Sequence, residues 1–389
     1  MVCRKYEEYH IQSYEIEYIC KLKTESMKEK VIKFNIKDQP EFFRELRKRV
    51  NTYFKENNIS KQANTKMVIK SIAILLMYIA PFVLLLTNLV TSFWGNMGLW
   101  AMMGLGMAGV GFSIMHDANH GSYSKNQTIN DALGFLIHFV GGFKENWKIQ
   151  HNVLHHSFTN IEGYDEDIKF SMMRFSPTQE RKWIHRFQII YAPFLYGFMT
   201  IYWMTSKDFQ QLIEYNKKGL LQTQQTTFNS AIWRLIFHKL WYFALTIAAP
   251  FYFIDLPWWQ ILIGFFTMHY IAGMTLSLVF QSAHVLEETD FFVPDENGSV
   301  ENNWAIHQMK TTSNFAKNNL PLTWFVGGLN FQVEHHLFPN ICHIHYSKIS
   351  EIVKKTAGEF NVPYHEHKTF TAALRSHFSM LNKLGTGQV

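Results

Sequence analysis

Long apolar runs alternate with polar, basic stretches along the 389 residues, and the runs set the expected architecture. Crossing the hydrocarbon core takes roughly 20 apolar residues. Four segments have that length, at about residues 68–91, 97–115, 232–254 and 258–280. Short, nearly uncharged connections at 92–96 and 255–257 join them in pairs, which predicts two helical hairpins. Gly104, Gly106, Gly109 and Gly111 in the second segment permit close helix approach. Trp94, Trp100, Trp258 and Trp259 stand where an interfacial aromatic belt belongs. Two further runs, 129–143 and 189–204, are too short to span and read as interfacial or re-entrant.

The rest of the chain patterns as soluble structure. Residues 14–22 and 31–36 alternate like short strands. An amphipathic helix follows, with Asp38 as its cap and Pro40 in its first turn. Phe42, Leu46, Val50 and Phe54 form its apolar stripe, against Arg44, Arg47, Lys48 and Arg49 on the other surface. That stripe either lies on a membrane or packs on the protein's own soluble part. The expected fold is an all-α integral membrane protein of four transmembrane helices, topped by a cytosolic helical domain. Residues 1–66 form a cytosolic N-terminal region, 67–350 the membrane domain, and 351–389 a cytosolic tail.

Charge sharpens this picture. With 37 Lys and Arg against 31 Asp and Glu, the net charge is +6. In a chain with membrane spans, that balance points to anionic lipid or an acidic donor protein rather than to nucleic acid. Lys and Arg crowd residues 1–70 and the loops after the second and fourth segments, so the positive-inside rule puts both termini and those loops in the cytosol. Cys3, Cys20 and Cys342 are too few and too scattered for a disulfide framework or a Cys-based zinc site. The first residues lack the pattern of a cleavable signal peptide.

The chemistry lies in three histidine clusters, each just beyond an apolar stretch: His116-Asp-Ala-Asn-His120, His151-Asn-Val-Leu-His155-His156 and Gln332-Val-Glu-His335-His336. In an α-helix, positions i and i+4 share a face, so His116 can pair with His120, and His151 with His155. Neighbouring residues point about 100° apart, so His155 and His156 face different ways, as do His335 and His336. Two adjacent pairs therefore suggest two metals side by side. The predicted topology gathers all three clusters at one cytosolic face. All-nitrogen donors suit iron, zinc, copper or nickel, and disfavour calcium or magnesium. A structural zinc needs only four ligands, and the clusters offer seven histidines. A metal transporter is the remote alternative. It predicts histidines inside the spans, and only His238 and His269 fall there.

The clusters and their context (HDANHGSYS, NWKIQHNVLHHSFTNIEGYDEDI, FQSAHVLEETDF and NFQVEHHLFPNICHIHY) closely resemble the three His boxes of membrane-bound fatty acid desaturases, over about residues 100–349. The resemblance implies two non-haem iron ions that use O2 and two electrons to desaturate an acyl-CoA or an acyl-lipid. It implies His116, His120, His151, His155, His156, His335 and His336 as ligands, with His284 of Gln-Ser-Ala-His joining them. Gln332, in place of the first His of the third box, resembles the front-end subgroup (Δ6/Δ5, linoleoyl-CoA desaturase-like). Its amide can bind iron, hold a water ligand or orient a neighbouring His. His307 is a candidate replacement for the missing box-three His. Asp117, Asp165, Asp167, Glu287 and Glu334 are near enough in sequence to accept the second N–H of a liganding imidazole. Gly106, Gly109, Met268 and Met274 of the second and fourth segments are candidates for the wall of an acyl tunnel. Lys144, Lys148, Arg181 and Arg186 either meet a CoA or phospholipid headgroup or are ordinary cytosolic-side charge. No HPGG haem motif of a fused cytochrome b5 occurs in residues 1–66, so the resemblance is to stand-alone, bacterial-type members. Those sit in an inner membrane and draw electrons from a separate cytochrome b5-like protein or ferredoxin. A related di-iron acyl or alkane hydroxylase is the neighbouring reading.

Overall fold

The helix starts are written in single side chains. The Asn64 carboxamide accepts from Met67 N–H and the Ser92 hydroxyl accepts from Gly95 N–H, so each satisfies one of the free donors that open a helix. These caps begin the first two of three helices that are long and apolar enough to cross a membrane among the described residues. They are Thr65–Leu86, Phe93–Asn119 and Trp258–His284. The computed structural model describes residues 32–389, so the alternation at 14–22, Cys3 and Cys20 lie outside the described residues. The described chain is mostly helical. Its short strands pair Lys33–Phe34 with Ser299–Val300 and Ser313–Phe315 with His365–His367, both in parallel. Of the strand expected at 31–36, Lys33–Phe34 is realised among the described residues.

Glycine sets how closely the long helices pack. A Cβ on Gly104 would stand 2.5 Å from the Met268 carbonyl oxygen, and one on Gly106 would stand 2.7 Å from the Tyr78 amide nitrogen. The helix Phe93–Asn119 thus touches both long neighbours backbone to backbone, which only small residues allow. The segment expected at 232–254 forms a helix over Phe228–Phe243, a π turn at Ala244–Ala248 and a last stretch, Ala249–Phe253. It carries Arg234, His238 and Lys239 in its first half and is not among the three candidate spans. Its far end meets the first hairpin: Asn88 Nδ2 donates to the Phe253 carbonyl (2.8 Å), and Asp255 N donates to Asn88 Oδ1 (2.8 Å). The two hairpin tips are therefore tied together. Ile69, Leu76, Val83, Trp233, Leu240 and Trp258 are exposed along the outer faces of these helices. So large an apolar surface marks contact with lipid or protein rather than water.

Neither short run makes a long helix. Residues 129–143 fall in the helix Gln127–Gly134 and a 3₁₀ stretch, Phe135–Val140. Residues 189–204 fall in Gln188–Gly197, a bend at Phe198, Met199–Tyr202 and a π turn at Trp203–Lys207. The helix Gln188–Gly197 presses on Trp258–His284, because a Cβ on Gly273 would come within 2.6 Å of the Gly197 carbonyl oxygen.

Two sequence expectations resolve at the amphipathic helix, Pro40–Glu56. Its stripe of Phe42, Phe43, Leu46, Val50 and Phe54 is buried against Ile306, Met309, Val333, Tyr346 and Val353. Of its two possible placements, the internal one is observed. The cap is Gln39, in the left-handed region at φ 42°, and not Asp38. The Asp38 carboxylate is used elsewhere, accepting from Asn303 N at 3.2 Å. The C-terminal helix Phe370–Thr386 is likewise packed in: Met380, Leu381 and Leu384 bury against Tyr196 and Val285.

A stability measurement distinguishes the two placements of the Pro40–Glu56 stripe. Leu46→Ala removes a fully buried side chain, and large-to-small core changes of this kind cost about 2–5 kcal/mol. The variant should therefore unfold earlier in a detergent-solubilised thermal or urea titration. Unchanged stability together with weaker vesicle binding would return the stripe to the membrane surface.

Candidate metal centre

Local helix geometry decides how the clusters meet. The helix Phe93–Asn119 has a π turn at Val110–Ile114, immediately before Met115–Asn119, which carries His116. The second cluster is itself π-helical over Lys148–His155. Hydrogen bonds run i→i+5 in a π-helix, so residues five apart come to one face. His151 and His156 do so, with their Nε2 atoms 3.3 Å apart. His155 instead turns toward His284 and His336, with ring centroids 4.8 and 4.9 Å away. The expected neighbourhood of His151 and His155 is kept, their rings stacking at 5.4 Å and sharing Asp167, but the π geometry adds His156 to the face of His151. Both π turns lie at the site, where such turns are often found.

The short helix Gln332–Leu337 brings in the third cluster. His335 approaches His116 (4.6 Å between centroids) and His336 approaches His284 (4.7 Å). Two groups result whose candidate ligand atoms lie within 4.8 Å of one another: His116, His120, His151 and His335, and then His155, His284 and His336. His156 stands between them, 4.5 Å from His335 and 4.4 Å from His336. All eight imidazoles are buried. The adjacent pair 335/336 divides across the two groups, whereas of 155/156 only His155 belongs to one of them.

The ring nitrogens fall into two sets. On one side, Nδ1 of His155, His284, His335 and His336 has a holder, while that of His156 has none. His155 Nδ1 donates to the Asp165 carboxylate (3.1 and 3.2 Å) with Asp167 at 3.4 Å, and His336 Nδ1 donates to Gln308 Oε1 (2.8 Å). His335 Nδ1 lies 3.2 Å from the Tyr346 hydroxyl, and His284 Nδ1 donates to the Thr311 carbonyl (3.3 Å). On the other side, Nε2 of His120, His284, His335 and His336 has no protein partner, and the Nε2 atoms of His116 and His151 face each other at 3.1 Å. Holding Nδ1–H in this way leaves the Nε2 lone pair free for a metal. Burial, and then neighbouring imidazoles, push His120, His151, His156, His335 and His336 well below the usual range, so these rings are neutral. For His155, burial also disfavours the cation, but Asp165 and Asp167 outweigh it and raise the ring to about 9. The donor set fits a pair of transition-metal ions.

The other sequence candidates fall in different places. Gln332 is buried with its side chain against His284. His307 is outside both groups. Its ring sits between Phe34 and Phe292, and its Nε2 is 2.7 Å from the Thr159 carbonyl. Asp117 accepts from His343 Nδ1 (2.9 Å) and stays 4.0 Å from His116. With Cys342 and His343 it forms a further cation-binding shape, but the Lys70 ammonium is already there, 2.8 Å from His343 Nε2. Glu287 serves Ser379 and Lys383, and Glu334 serves Asn314 and Tyr364. Gln308, Tyr346 and Thr311 are the holders that the sequence reading missed. Gln308 follows His307 directly, in a stretch of mixed polarity that carries no signal for it.

A narrow apolar cavity reaches His116, walled by Met107, Gly111, Met115, Trp147, Trp203 and Leu276. The two helices named from sequence do form part of it, but with other faces. Gly104, Gly106 and Gly109 are taken up by helix packing; Met268 packs in the same core cluster as Met107, Met115, Trp147 and Trp203 without lining the cavity, and Met274 lies in another cluster. A family model of fatty acid desaturases matches residues 92–368, which takes in every histidine group and the cavity. The chain belongs to the fatty acid desaturase family. It is 37% identical over 344 residues to an sn-1 linoleoyl-lipid 6-desaturase of Arthrospira platensis, covering 88% of this chain and 92% of that one. The same figure holds over 348 residues for an sn-1 linoleoyl-lipid 6-desaturase of Synechocystis sp., covering 88% and 95%. An acyl-lipid (8-3)-desaturase of Physcomitrium patens is 36% identical over 376 residues, covering 93% and 75%. As a desaturase the protein is an oxidoreductase of unsaturated fatty acid metabolism, in a metal-dependent family.

Gln308→Leu tests the holders. Losing such a partner costs about 10–100-fold in metal affinity, so competitive chelator titration should show looser metal with the fold retained. Wild-type affinity in this variant would show that His336 needs no holder.

Proposed function

We propose that this desaturase is a front-end enzyme, placing a cis double bond between an existing one and the carboxyl end of an acyl chain. Two iron ions would be held by His116, His120, His151, His155, His156, His284, His335 and His336. The observation that carries the reading is the set of buried imidazoles with held Nδ1 and free Nε2 atoms, at the end of an apolar cavity. The relatives' names favour a lipid-linked acyl group over a CoA ester as substrate. In the balanced reaction the acyl chain loses two hydrogens, and O2 with two electrons and two protons becomes two waters.

Bound iron supplies an oxidant strong enough to take hydrogen from an unactivated methylene, which no acid or base of the chain can do. The chain's own residues do the rest. Asp165, Gln308 and Tyr346 keep the imidazoles in the liganding orientation. Gln332, lying against His284, orients that ring. Trp147 stacks on His151 at 4.6 Å and closes the cavity against the first group, and the Met, Leu and Trp walls exclude water from the reacting carbons.

For the membrane, we infer four spans in two hairpins within residues 67–350, with Phe228–Phe253 as the third in order. The bond between Asn88 and the Phe253–Asp255 turn supports this arrangement by joining both hairpin tips. The histidine groups and both termini then face the cytosol, where a separate carrier such as a cytochrome b5-like protein or a ferredoxin delivers the electrons.

Gas chromatography–mass spectrometry of a host fed linoleic acid tests the reading, with His155→Ala as the control. Wild type should yield a product with one more double bond nearer the carboxyl end, and His155→Ala should yield none above background. A hydroxylated chain without a new double bond would overturn the assignment, and full desaturation by His155→Ala would remove His155 from the metal site.

A further inference from the structure

One buried ion pair lies away from the histidines yet touches the cavity wall at several points. Lys239 Nζ donates to Asp208 Oδ2 (2.5 Å), to the Gly141 carbonyl (2.7 Å) and to the Trp203 carbonyl (3.1 Å), so all three of its donors are used. Both side chains are buried. Asp208 Oδ1 accepts from the Trp203 indole N–H at 3.2 Å. Asn146, the residue before Trp147, donates to the Asp208 carbonyl at 2.7 Å. Trp203 and Trp147 both line the cavity that ends at His116.

Such a pair is costly to build. Desolvating two charges offsets much of their attraction, and apolar residues of similar volume often serve stability as well or better. What the pair does supply is a fixed geometry. The π turn at Trp203–Lys207 places the Trp203 carbonyl within reach of Lys239. Gly142 lets the Trp203 ring lie flat against the loop, since a Cβ there would come within 2.6 Å of the ring. The same wall has a second anchor: the Thr200 hydroxyl lies 3.1 Å from His269 Nδ1, and His269 Nε2 lies 2.8 Å from the Tyr242 hydroxyl. Both anchors reach across to the helix Phe228–Phe243, which contributes Lys239 and Tyr242.

We propose that Asp208 and Lys239 form a positioning pair for regioselectivity: by fixing Trp203 and, through Asn146, Trp147, they set which carbons of the acyl chain stop beside the histidine groups. The inference rests on this small cavity being the part of the acyl site next to His116. A wall that shifts by one side chain lets the chain slide by one or two carbons, and the double bond moves with it.

The test is a double variant, Asp208→Leu with Lys239→Met, which removes both charges and so leaves no unpaired charge buried. Trp203→Phe is its companion: it deletes the indole N–H contact to Asp208 and trims the wall residue that the pair is proposed to fix. Each is expressed in a host fed linoleic acid, and double-bond position, total product and iron per chain are measured. With iron content at the wild-type level, the share of product with a displaced double bond should rise about tenfold, the lower end of what pocket contacts contribute to discrimination. A fall in total product at an unchanged positional ratio would overturn the proposal, because a merely structural pair lowers yield without moving the bond. If the double variant does not accumulate, Trp203→Phe decides on the same ratio. Absence of any new double bond from the wild type would instead defeat the desaturase reading itself.

Discussion

Eight imidazoles share one buried space with ring nitrogens turned toward one another, and the architecture is arranged around that constraint. Rings held neutral, as His120, His151, His156, His335 and His336 are, gain little from such crowding. A buried polar group without a partner costs about 1–3 kcal/mol, and Nε2 of His120, His284, His335 and His336 all lack protein partners. Ions bound between them would remove that cost. The fold holds the arrangement open from outside, by gripping the opposite nitrogen of the rings through Asp165, Gln308, Tyr346 and the Thr311 carbonyl. Neutral burial and fixed tautomers are what a metal needs from its ligands before it arrives.

The long helices serve the same end. Gly104 and Gly106 draw three helices into backbone contact, which fixes where the ends bearing His116, His120 and His284 emerge. The Pro40–Glu56 helix packs across Ile306, Met309 and Val333, bracing the segments that carry Gln308 and His335. The apolar cavity reaches the same spot from the side of the long helices and shares His116 with the first group. Site and cavity are thus set by one packing solution.

Much of this is legible in the sequence. Adjacent histidines at 155/156 and 335/336 point to two separate groups, because neighbouring positions on a helix diverge; the structure divides 335/336 in that way, while His156 stands between the groups rather than in the one opposite His155. His284 is legible only through resemblance, since one isolated histidine carries no spacing. What resists reading is whatever depends on non-standard helix geometry or on tertiary partners. The π-helical turn over Lys148–His155 brings His156 beside His151 in addition to His155, which periodicity arguments at 3.6 residues per turn do not foresee. The stripe of Pro40–Glu56 looks the same whether it meets lipid or protein. Gln308 and Tyr346 come from segments distant from the rings they hold, so no local pattern marks them. Phe228–Phe253 mixes an apolar run with Lys239, whose partner Asp208 is far away in sequence.

The central claim is that two metal ions sit side by side among these histidines. Iron analysis and Mössbauer spectroscopy of the purified protein, loaded with isotopically enriched iron, test it most directly. The account predicts two irons per chain with the magnetic signature of a coupled pair, both lost together when one group is disrupted. One iron per chain, or two that behave as independent centres, would contradict it.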